Sequence, residues 1–358
     1  MKSRPYLENI NGLRFLAASY VIGFHYLHFP SFSKVNEFFS HGHISVPFFF
    51  LLSGFILFYN YEEYDFRMPH KSKKYLLNRF LRLAPTYYIA LFAAIPLIFY
   101  NQKMEGVLPV WENFIYVVTH LSFTQSLLPF KKLISYWNIH SWSLGVEMFL
   151  YSLSPFLIQK IQKLHSKKLI PLFLGLMLIN SFYFIFLIYG KKQSDPFSLY
   201  FAPLYVPTFL SGVVAGKYYL SQKSFFDKWS IFLFPIASLL LIGSFTLGFS
   251  DIFYSSFNPF YQICFTLLIL SVCRKNIFNK WLGTSVMIVL GNASYAMYIL
   301  QAPVKVLTQQ TLSKVFDIKL SVGIFYFLMV FMTITICSIL LSKFLDPWLK
   351  KKLKIDTR

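Results

Sequence analysis

Long apolar runs follow one another along almost the whole chain, and they restrict the fold more than any other feature. A helix needs about 20 mostly apolar residues to cross a bilayer, where only helices and closed barrels satisfy their backbone groups. Hydrophobic residues make up 56% of the chain and charged residues only 13%. We therefore predict an all-α polytopic membrane protein with about ten transmembrane helices. The predicted spans are approximately 10–29, 44–60, 76–100, 141–159, 169–189, 199–216, 229–249, 257–273, 286–304 and 320–342.

One further segment, 111–129, is less apolar because it contains Glu112, His120 and Gln125. If it does not cross the membrane, one set of loops collects 22 lysines and arginines and the other set only nine. Cytoplasmic loops carry the excess of positive charge, so this assignment places both termini in the cytoplasm. If the segment crossed, every later loop would change sides and the bias would be lost. We therefore predict a re-entrant or interfacial segment near 111–129.

The formal net charge of +20 would suggest a nucleic-acid partner in a soluble protein. Here the basic residues follow the loops, so we interpret them as a topology signal and expect membrane lipids, not nucleic acid, as partners. Cys264, Cys273 and Cys337 lie in or beside apolar runs, without a disulfide framework or metal-ligand spacing. No repeat or linker divides the chain. We expect one integral membrane domain, 1–345, and a basic cytoplasmic tail, 346–358.

The first run, GLRFLAASYVIGFHY at 12–26, keeps two ionisable groups, Arg14 and His25. Such groups are costly inside a membrane and usually face the interior of a bundle. Eleven helical residues return to within about 20° of the starting direction and rise about 17 Å, so both side chains share one face. They predict a polar stripe that lines a cavity. Two plainer interpretations stay open: Arg14 could reach the lipid headgroups, and a neighbouring carbonyl could satisfy His25.

The third run opens with YLLNRFLRLAPTYY, in which Arg79 and Arg82 are three residues apart and share a helix face. With Arg14 they could form a cytoplasmic clamp for a phosphate-rich ligand, because the guanidinium fork matches phosphate oxygens. Anchoring of the same arginines to lipid phosphates explains the pattern equally well.

Glu147, in YWNIHSWSLGVEMFLY, is the only carboxylate well inside any predicted span. It lies about 9 Å below the outer surface, and His25 is expected at a similar depth on its own span. A carboxylate that orients a histidine is the usual support for general-base or nucleophilic catalysis. We therefore predict His25 and Glu147 as catalytic residues. A structural hydrogen bond from Glu147 to a neighbouring helix is the simpler alternative.

Other polar side chains in the apolar runs are candidates for substrate binding. SVPFFFLLSGF pairs Ser53 with Gly54, although small residues there more often permit close helix packing. LGNASYAMYILQAP gathers hydrogen-bonding groups that could line a pore or an acceptor site, or its tyrosines could be interfacial anchors. Histidines and tryptophans near the outer border could meet a sugar or form an aromatic belt. The predicted substrate-binding residues are Ser53, Trp142, Asn292, Tyr295, Tyr298 and Gln301.

Five short motifs resemble, in order, those of the bacterial acyltransferase family 3. They are LENINGLRFLA with His25 following, VPFFFLLSGF, RFLRLAPTYY, HSWSLGVEMFLY and GNASYAMYILQAP. The resemblance implies that Arg14 and His25 are the family's first-span arginine and essential histidine. It also implies that Arg79 and Arg82 are its R-x-x-R pair and that Glu147 is its W-S-L-x-V-E glutamate.

The sequence departs from the family pattern at two positions. Asn11 stands where an aspartate is usual before G-L-R, and Gln301 stands where the late Y-x-x-Y-L-x-H motif ends in histidine. The second departure argues against proton transfer at this position, although Gln301 can still hydrogen-bond a substrate. Only a short basic tail follows the last run, so we expect the stand-alone form of the family, without an SGNH domain.

Members of this family are multi-spanning enzymes that O-acylate surface polysaccharides, lipopolysaccharides, lipids and some antibiotics. The resemblance implies an enzyme of the bacterial cytoplasmic membrane that moves an acyl group, most often acetyl, from acyl-CoA to an extracytoplasmic glycan or lipid-linked sugar. It implies acetyl-CoA or another acyl-CoA as donor and no metal. His25 would act as a general base or as an acyl-histidine nucleophile. A polysaccharide transporter and a structural scaffold are the alternatives, and the sequence is compatible with a homo-oligomer.

Overall fold

The regular structure of this chain is helical. The computed structural model describes residues 4–27, 33–99, 109–128, 131–189, 200–246, 256–315 and 323–352, and within these ranges no residue is assigned to a β-strand. The α-helices are α1 (Asn9–Tyr26), α2 (Ser33–Ser40), α3 (Ser45–Tyr61), α4 (Pro69–Ala93), α5 (Val110–Leu121), α6 (Lys131–Ser135), α7 (Trp142–Gln162), α8 (Leu169–Tyr189), α9 (Val206–Ser221), α10 (Lys223–Thr246), α11 (Pro259–Val272), α12 (Ser285–Val315), α13 (Ile324–Leu340) and α14 (Asp346–Lys352).

The apolar helices agree with the predicted membrane architecture, and each predicted span overlaps a helix. Within the described ranges, five helical stretches are long and apolar enough to cross a membrane. They are Lys34–Tyr61, Ser166–Phe186, Lys223–Phe245, Ser285–Lys314 and Ile324–Leu349. The prediction of an all-α, multi-pass membrane protein is therefore confirmed. The number of crossings and the cytoplasmic position of both termini stay predictions.

Side-chain contacts define two ends of the bundle. At the near end, Arg4 forms an ion pair with Glu62, beside the last turn of α3. Tyr64, which follows α3, donates a hydrogen bond to the carbonyl of Lys71 in the first turns of α4. At the far end, α1 finishes beside the start of α7. Thus α1 and α4 run from the near end to the far end, and α3 and α7 run back.

The segment predicted to be re-entrant or interfacial stays at the far end. Its helix, α5, has 12 residues and is about 18 Å long, too short for a core of about 30 Å. Tyr87 and Tyr88, in the later turns of α4, donate hydrogen bonds to the carbonyls of His120 and Leu121. Residues 109–128 therefore fold back beside the helix that precedes them, which fits the prediction. Residue 129 lies outside the described residues.

Two glycines bring the backbones of α3 and α9 together. A Cβ atom on Gly54 would lie 2.1 Å from the carbonyl oxygen of Phe209, and one on Gly212 would lie 1.9 Å from that of Leu51. Small residues permit such close approach between helices in membranes. The prediction that Gly54 serves helix packing therefore agrees with the structure. The contact fixes α3, so the neighbouring Ser53 has a defined position.

Helix α1 is fixed against α12 in a similar way. A Cβ atom on Gly291 would lie 2.2 Å from the carbonyl oxygen of Asn11. At the near end, the amide of Asn9 donates to the carbonyl of Val272 at 3.3 Å and to the Asn279 side chain at 3.0 Å. Because these bonds are buried, they specify how far α1 is inserted between its neighbours.

Candidate active site

A cavity of about 530 Å³ lies between α1, α3, α4, α7 and α12. Its walls combine charged and polar groups with apolar side chains such as Ile56, Leu57 and Leu144. Most of the residues predicted from the sequence meet here, although they come from five different helices. Those that line the cavity are Arg14, Ser53, Arg79, Arg82, Glu147, Asn292, Tyr295 and Tyr298.

The charges of the cavity are predominantly positive. Arg14 projects from the second turn of α1 and is half-buried, and Arg82 projects from α4 and is more exposed. The charge of Arg82 repels the Arg14 guanidinium, while that of Glu147 attracts it. Within the described residues, neither Arg14 nor Arg82 forms a hydrogen bond or an ion pair. Two guanidinium groups are therefore available to an anionic ligand.

Arg79, the other arginine of α4, has a different environment, because three tyrosine rings surround it. The guanidinium carbon of Arg79 lies 5.3 Å from the ring centre of Tyr61, 5.4 Å from that of Tyr75 and 6.0 Å from that of Tyr151. Its Nη2 also donates to the Tyr61 hydroxyl at 2.7 Å. Cation–π contacts stabilise a charge away from water. Arg79 is thus held by the protein, whereas Arg82 is free to meet a ligand.

The carboxylate of Glu147 connects α7 to α3. It accepts hydrogen bonds from the Ser53 hydroxyl, at 3.3 Å, and from the Tyr151 hydroxyl. Tyr151 follows Glu147 by four residues, so the two side chains share one face of α7. That spacing was visible in the sequence, although we did not predict the contact from it. Among the tyrosines around Arg79, Tyr75 precedes it by four residues in α4. Tyr61 and Tyr151 come from other helices, and no local pattern indicated them.

We expect removal of the Tyr151 hydroxyl to destabilise the protein. Tyr151→Phe deletes a hydrogen bond to a carboxylate in the bundle, which costs about 1.5–3 kcal/mol. The melting temperature should fall by more than about 3 °C, measured by intrinsic fluorescence in detergent. Tyr116→Phe is the matched control, because Tyr116 donates to Glu112 at the same spacing but at 3.4 Å and outside the cavity. Equal melting temperatures for the two variants would contradict the assignment.

Helix α12 contributes one polar face to the cavity. Asn292, Tyr295 and Tyr298 follow one another at intervals of three residues and all line it. The Tyr295 hydroxyl donates to the carbonyl of Leu83 at 2.8 Å, which ties this face to α4. The same face therefore serves both packing and the cavity.

Two predicted substrate-binding residues lie outside this cavity lining. Gln301 is fully buried, and its amide donates to the carbonyl of Tyr298 at 2.9 Å, so a substrate in the cavity does not reach it. Trp142 is half-buried at the far end, with its ring 5.0 Å from that of Tyr200 and 5.8 Å from that of Tyr205. The sequence placed both residues at the right end of the bundle but did not fix the direction of their side chains.

The predicted contact between His25 and Glu147 is absent from the described residues. His25 is exposed at the far end of α1, and its ring lies 4.6 Å from the ring of His140. The depth argument assumed a span that continued to residue 29. The helix instead ends at Tyr26, where Leu27 becomes extended. His25 is therefore level with the turn that precedes α7, while Glu147 lies more than one turn inside α7.

Within the described ranges, no group of three or more His, Cys, Asp or Glu residues is placed to hold a metal ion.

No solved structure matches the chain. The chain is 30% identical over 172 residues to the acyltransferase MdmB of Streptomyces mycarofaciens. The aligned region covers 46% of this chain and 42% of that relative. The chain spans less than half the length of this relative. A family model described as an acyltransferase domain matches residues 7–342, so the chain belongs to acyltransferase family 3.

Proposed function

We propose that the protein is a membrane-bound O-acyltransferase of the bacterial cytoplasmic membrane. It would move an acyl group, most often acetyl, from cytoplasmic acyl-CoA to a hydroxyl of an extracytoplasmic glycan such as exopolysaccharide, capsule or O-antigen. The observation that carries this proposal is the pair of guanidinium groups, Arg14 and Arg82, that face the cavity without a hydrogen bond or ion pair to any described residue. Unpaired arginines suit a ligand that brings its own negative charge.

The donor would bind with its phosphates at these arginines. Guanidinium forks make bidentate bonds to phosphate oxygens. Apolar side chains farther along the cavity, among them Phe50 and Leu144, suit an uncharged arm that carries a thioester. The volume of about 530 Å³ is within the usual range for small-molecule sites, roughly 300–1,000 Å³. Along α1, the rise from Arg14 to His25 is about 17 Å, which an extended pantetheine arm can span.

His25 would perform the transfer at the far end. As a general base, its imidazole takes the proton of the acceptor hydroxyl while that oxygen attacks the thioester carbonyl. The new C–O bond forms, the C–S bond breaks, and the proton passes from His25 to the leaving thiolate. An acyl-histidine intermediate remains the competing route. Both routes require His25 to be accessible, and the side chain is exposed.

The acceptor would approach from the far end of the bundle. Trp142 and Tyr200 form an aromatic contact there, and such rings can pack against a sugar. We therefore retain Trp142 as a residue for acceptor binding, separate from the cavity. A glycan or a lipid-linked sugar would fit this position equally well.

The test is a transfer assay with purified protein in lipid nanodiscs. The protein is incubated with [14C]acetyl-CoA and envelope glycans extracted from a strain in which its gene is deleted. Label should appear in the glycan as an ester that mild alkali releases. If no surface glycan of the native host is labelled and no acetyl-CoA is consumed, the proposed function is wrong.

We expect replacement of Arg82 to weaken donor binding. Losing a hydrogen bond to a charged group costs about 1.5–3 kcal/mol, so Arg82→Met should raise the KM for acetyl-CoA about 10- to 100-fold. Arg82→Lys keeps the charge but loses the fork, so it should show a smaller increase. Because the proposed chemistry takes place at His25, kcat should change little.

Arg67→Met is the matched control for the Arg82 variants. Arg67 is exposed in the loop before α4 and is bound to Asp65, at 2.8 Å. The hydrogen bonds from Arg67 lower the pKa of Asp65 to about 2, so the pair stays charged throughout the assay. Its KM should equal that of the wild type. An unchanged KM in Arg82→Met would contradict donor binding by this arginine and would favour the lipid anchor instead.

A further inference from the structure

His25 and His140 form a pair of imidazoles outside the cavity lining. Their ring centres are 4.6 Å apart and their planes meet at 52°, so the rings are in contact. His25 is exposed, whereas His140 is only 5% exposed. Within the described part of the chain, neither imidazole forms a hydrogen bond with another group. Their ring nitrogens are therefore available to each other, and those of the exposed His25 are also available to a substrate.

Two buried amides hold the turn that carries His140. Asn138 donates to the carbonyl of Ile299 in α12 at 2.9 Å, and its side-chain oxygen accepts the backbone N–H of His140 at 3.2 Å. From the other side, Gln125 donates to the carbonyl of Ser141 at 2.7 Å. Asn138 and Gln125 are both fully buried. Buried hydrogen bonds in a low-dielectric environment give a backbone one defined position, so the His140 ring is held in place against α1.

His140 also contacts the wall of the cavity. Its ring lies 5.9 Å from that of Tyr298, and its carbonyl accepts a hydrogen bond from the Ser143 hydroxyl at 3.3 Å. Tyr298 and Ser143 both line the cavity. His140 is thus located between the cavity and the exposed His25.

We propose that His140 is a positioning residue for acyl transfer. When His25 takes the proton of the acceptor hydroxyl, the neutral His140 ring accepts an N–H hydrogen bond from the imidazolium that forms. The proton stays on His25 until it passes to the leaving thiolate, so His140 neither gains nor loses an atom. The inference rests on the proposed function. It gives His140 the orienting role that the sequence assigned to Glu147.

The division of roles follows from burial and charge. Two imidazoles in contact do not both take a proton readily, because like charges repel. The exposed ring of His25 can be hydrated when it is charged. A charge on the buried His140 would lack this hydration, which costs free energy. His43, from the turn before α3, adds a further repulsion on charged His25. Tyr26 on α1 and Tyr298 on α12 are the other titratable rings beside the pair.

The first test requires neither donor nor acceptor. Diethyl pyrocarbonate modifies neutral imidazole, so the rate of His25 modification against pH, followed by mass spectrometry, reports its unprotonated fraction. His140→Phe keeps a ring against Tyr298 but removes the acceptor nitrogen. The pH midpoint for His25 should then fall by about one unit, because the charged form loses a hydrogen bond. His140→Gln, whose amide oxygen can accept the same N–H, should keep a midpoint near the wild type.

The second test measures transfer by the same variants. His140→Phe should lower kcat about 100-fold without changing the KM for acetyl-CoA, and His140→Gln should recover part of the loss. The control is His120→Phe, another buried histidine with aromatic neighbours, at 6.3 Å from Tyr136 and 6.0 Å from Trp137. It should leave both the midpoint and kcat unchanged.

The outcomes separate this inference from the proposed function. If the wild type transfers acetyl groups but His140→Phe keeps the wild-type midpoint and kcat, the positioning role is wrong and the function stands. If the wild type transfers nothing while the midpoint still moves, the histidine pair is real and the proposed function is wrong. Where His140→Phe does not fold, His140→Ala replaces it, and an unshifted midpoint with a full rate in His140→Ala would overturn the inference.

Discussion

Gly212→Val should abolish folding of the protein. The first atom of any side chain at this position would lie 1.9 Å from the carbonyl oxygen of Leu51, in the backbone of α3. Backbone cannot move aside as a flexible side chain can, so α3 and α9 would have to separate. The opposite contact, Gly54 against Phe209, would be lost with it. Overpacking of this kind costs about 1–3 kcal/mol or more, and lost packing adds to it. Total stabilities are only about 5–15 kcal/mol.

The measurement is size-exclusion chromatography of a fluorescent fusion extracted from membranes. We expect the Gly212→Val protein to be missing from the monodisperse peak. Gly175→Val is the control, because apart from the neighbouring backbone of α8 itself nothing lies within 4 Å of the Cβ position of Gly175. The same valine is then introduced into a membrane helix without a steric clash, and its elution should be normal. A normal peak and unchanged melting temperature for Gly212→Val would show that these helices are not so closely packed.

The sequence predicted the helices well because lipid imposes a simple rule on each of them. A run such as 44–60 must be apolar along its length, and α3 occupies Ser45–Tyr61. The same rule does not determine where a helix ends in water. Helix α4 was predicted from 76, where the apolar run starts, but it begins at Pro69. Proline is favourable in the first turn, and the polar residues that follow continue the helix outside the membrane.

The residues of the candidate site could be predicted from the sequence, but most of the contacts between their side chains could not. Arg14, Arg82 and Glu147 stood out because ionisable groups inside spans are rare, and all three line the cavity. Depth along a helix axis can be calculated from the sequence, but the direction in which a neighbouring helix faces cannot. We therefore placed His25 beside Glu147, whereas the structure places it beside His140. The partnerships visible in the sequence were local, between residues four apart in one helix: Glu147 with Tyr151, and Tyr75 with Arg79.

His25→Gln should lower acyl transfer by about 10³-fold. Glutamine is similar in size and can still hydrogen-bond, but it neither takes up a proton at neutral pH nor forms an acyl intermediate. General-base catalysis typically contributes about 10²–10⁴-fold. The transfer assay with [14C]acetyl-CoA measures the rate, and calorimetry with coenzyme A measures donor binding. Affinity for coenzyme A should stay within about twofold of the wild type, because Arg14 and Arg82 belong to the cavity and His25 is not part of its lining.

His70→Gln is the control for this variant, because His70 is exposed in the first turn of α4 at the near end. It should transfer acetyl groups at the wild-type rate. The comparison also separates the enzyme from the transporter alternative. A permeation path needs polar side chains along its wall, and glutamine would supply one, so a transporter should tolerate the change. If His25→Gln keeps more than about a tenth of the wild-type rate, neither the general-base nor the acyl-histidine route applies, since both depend on an imidazole nitrogen.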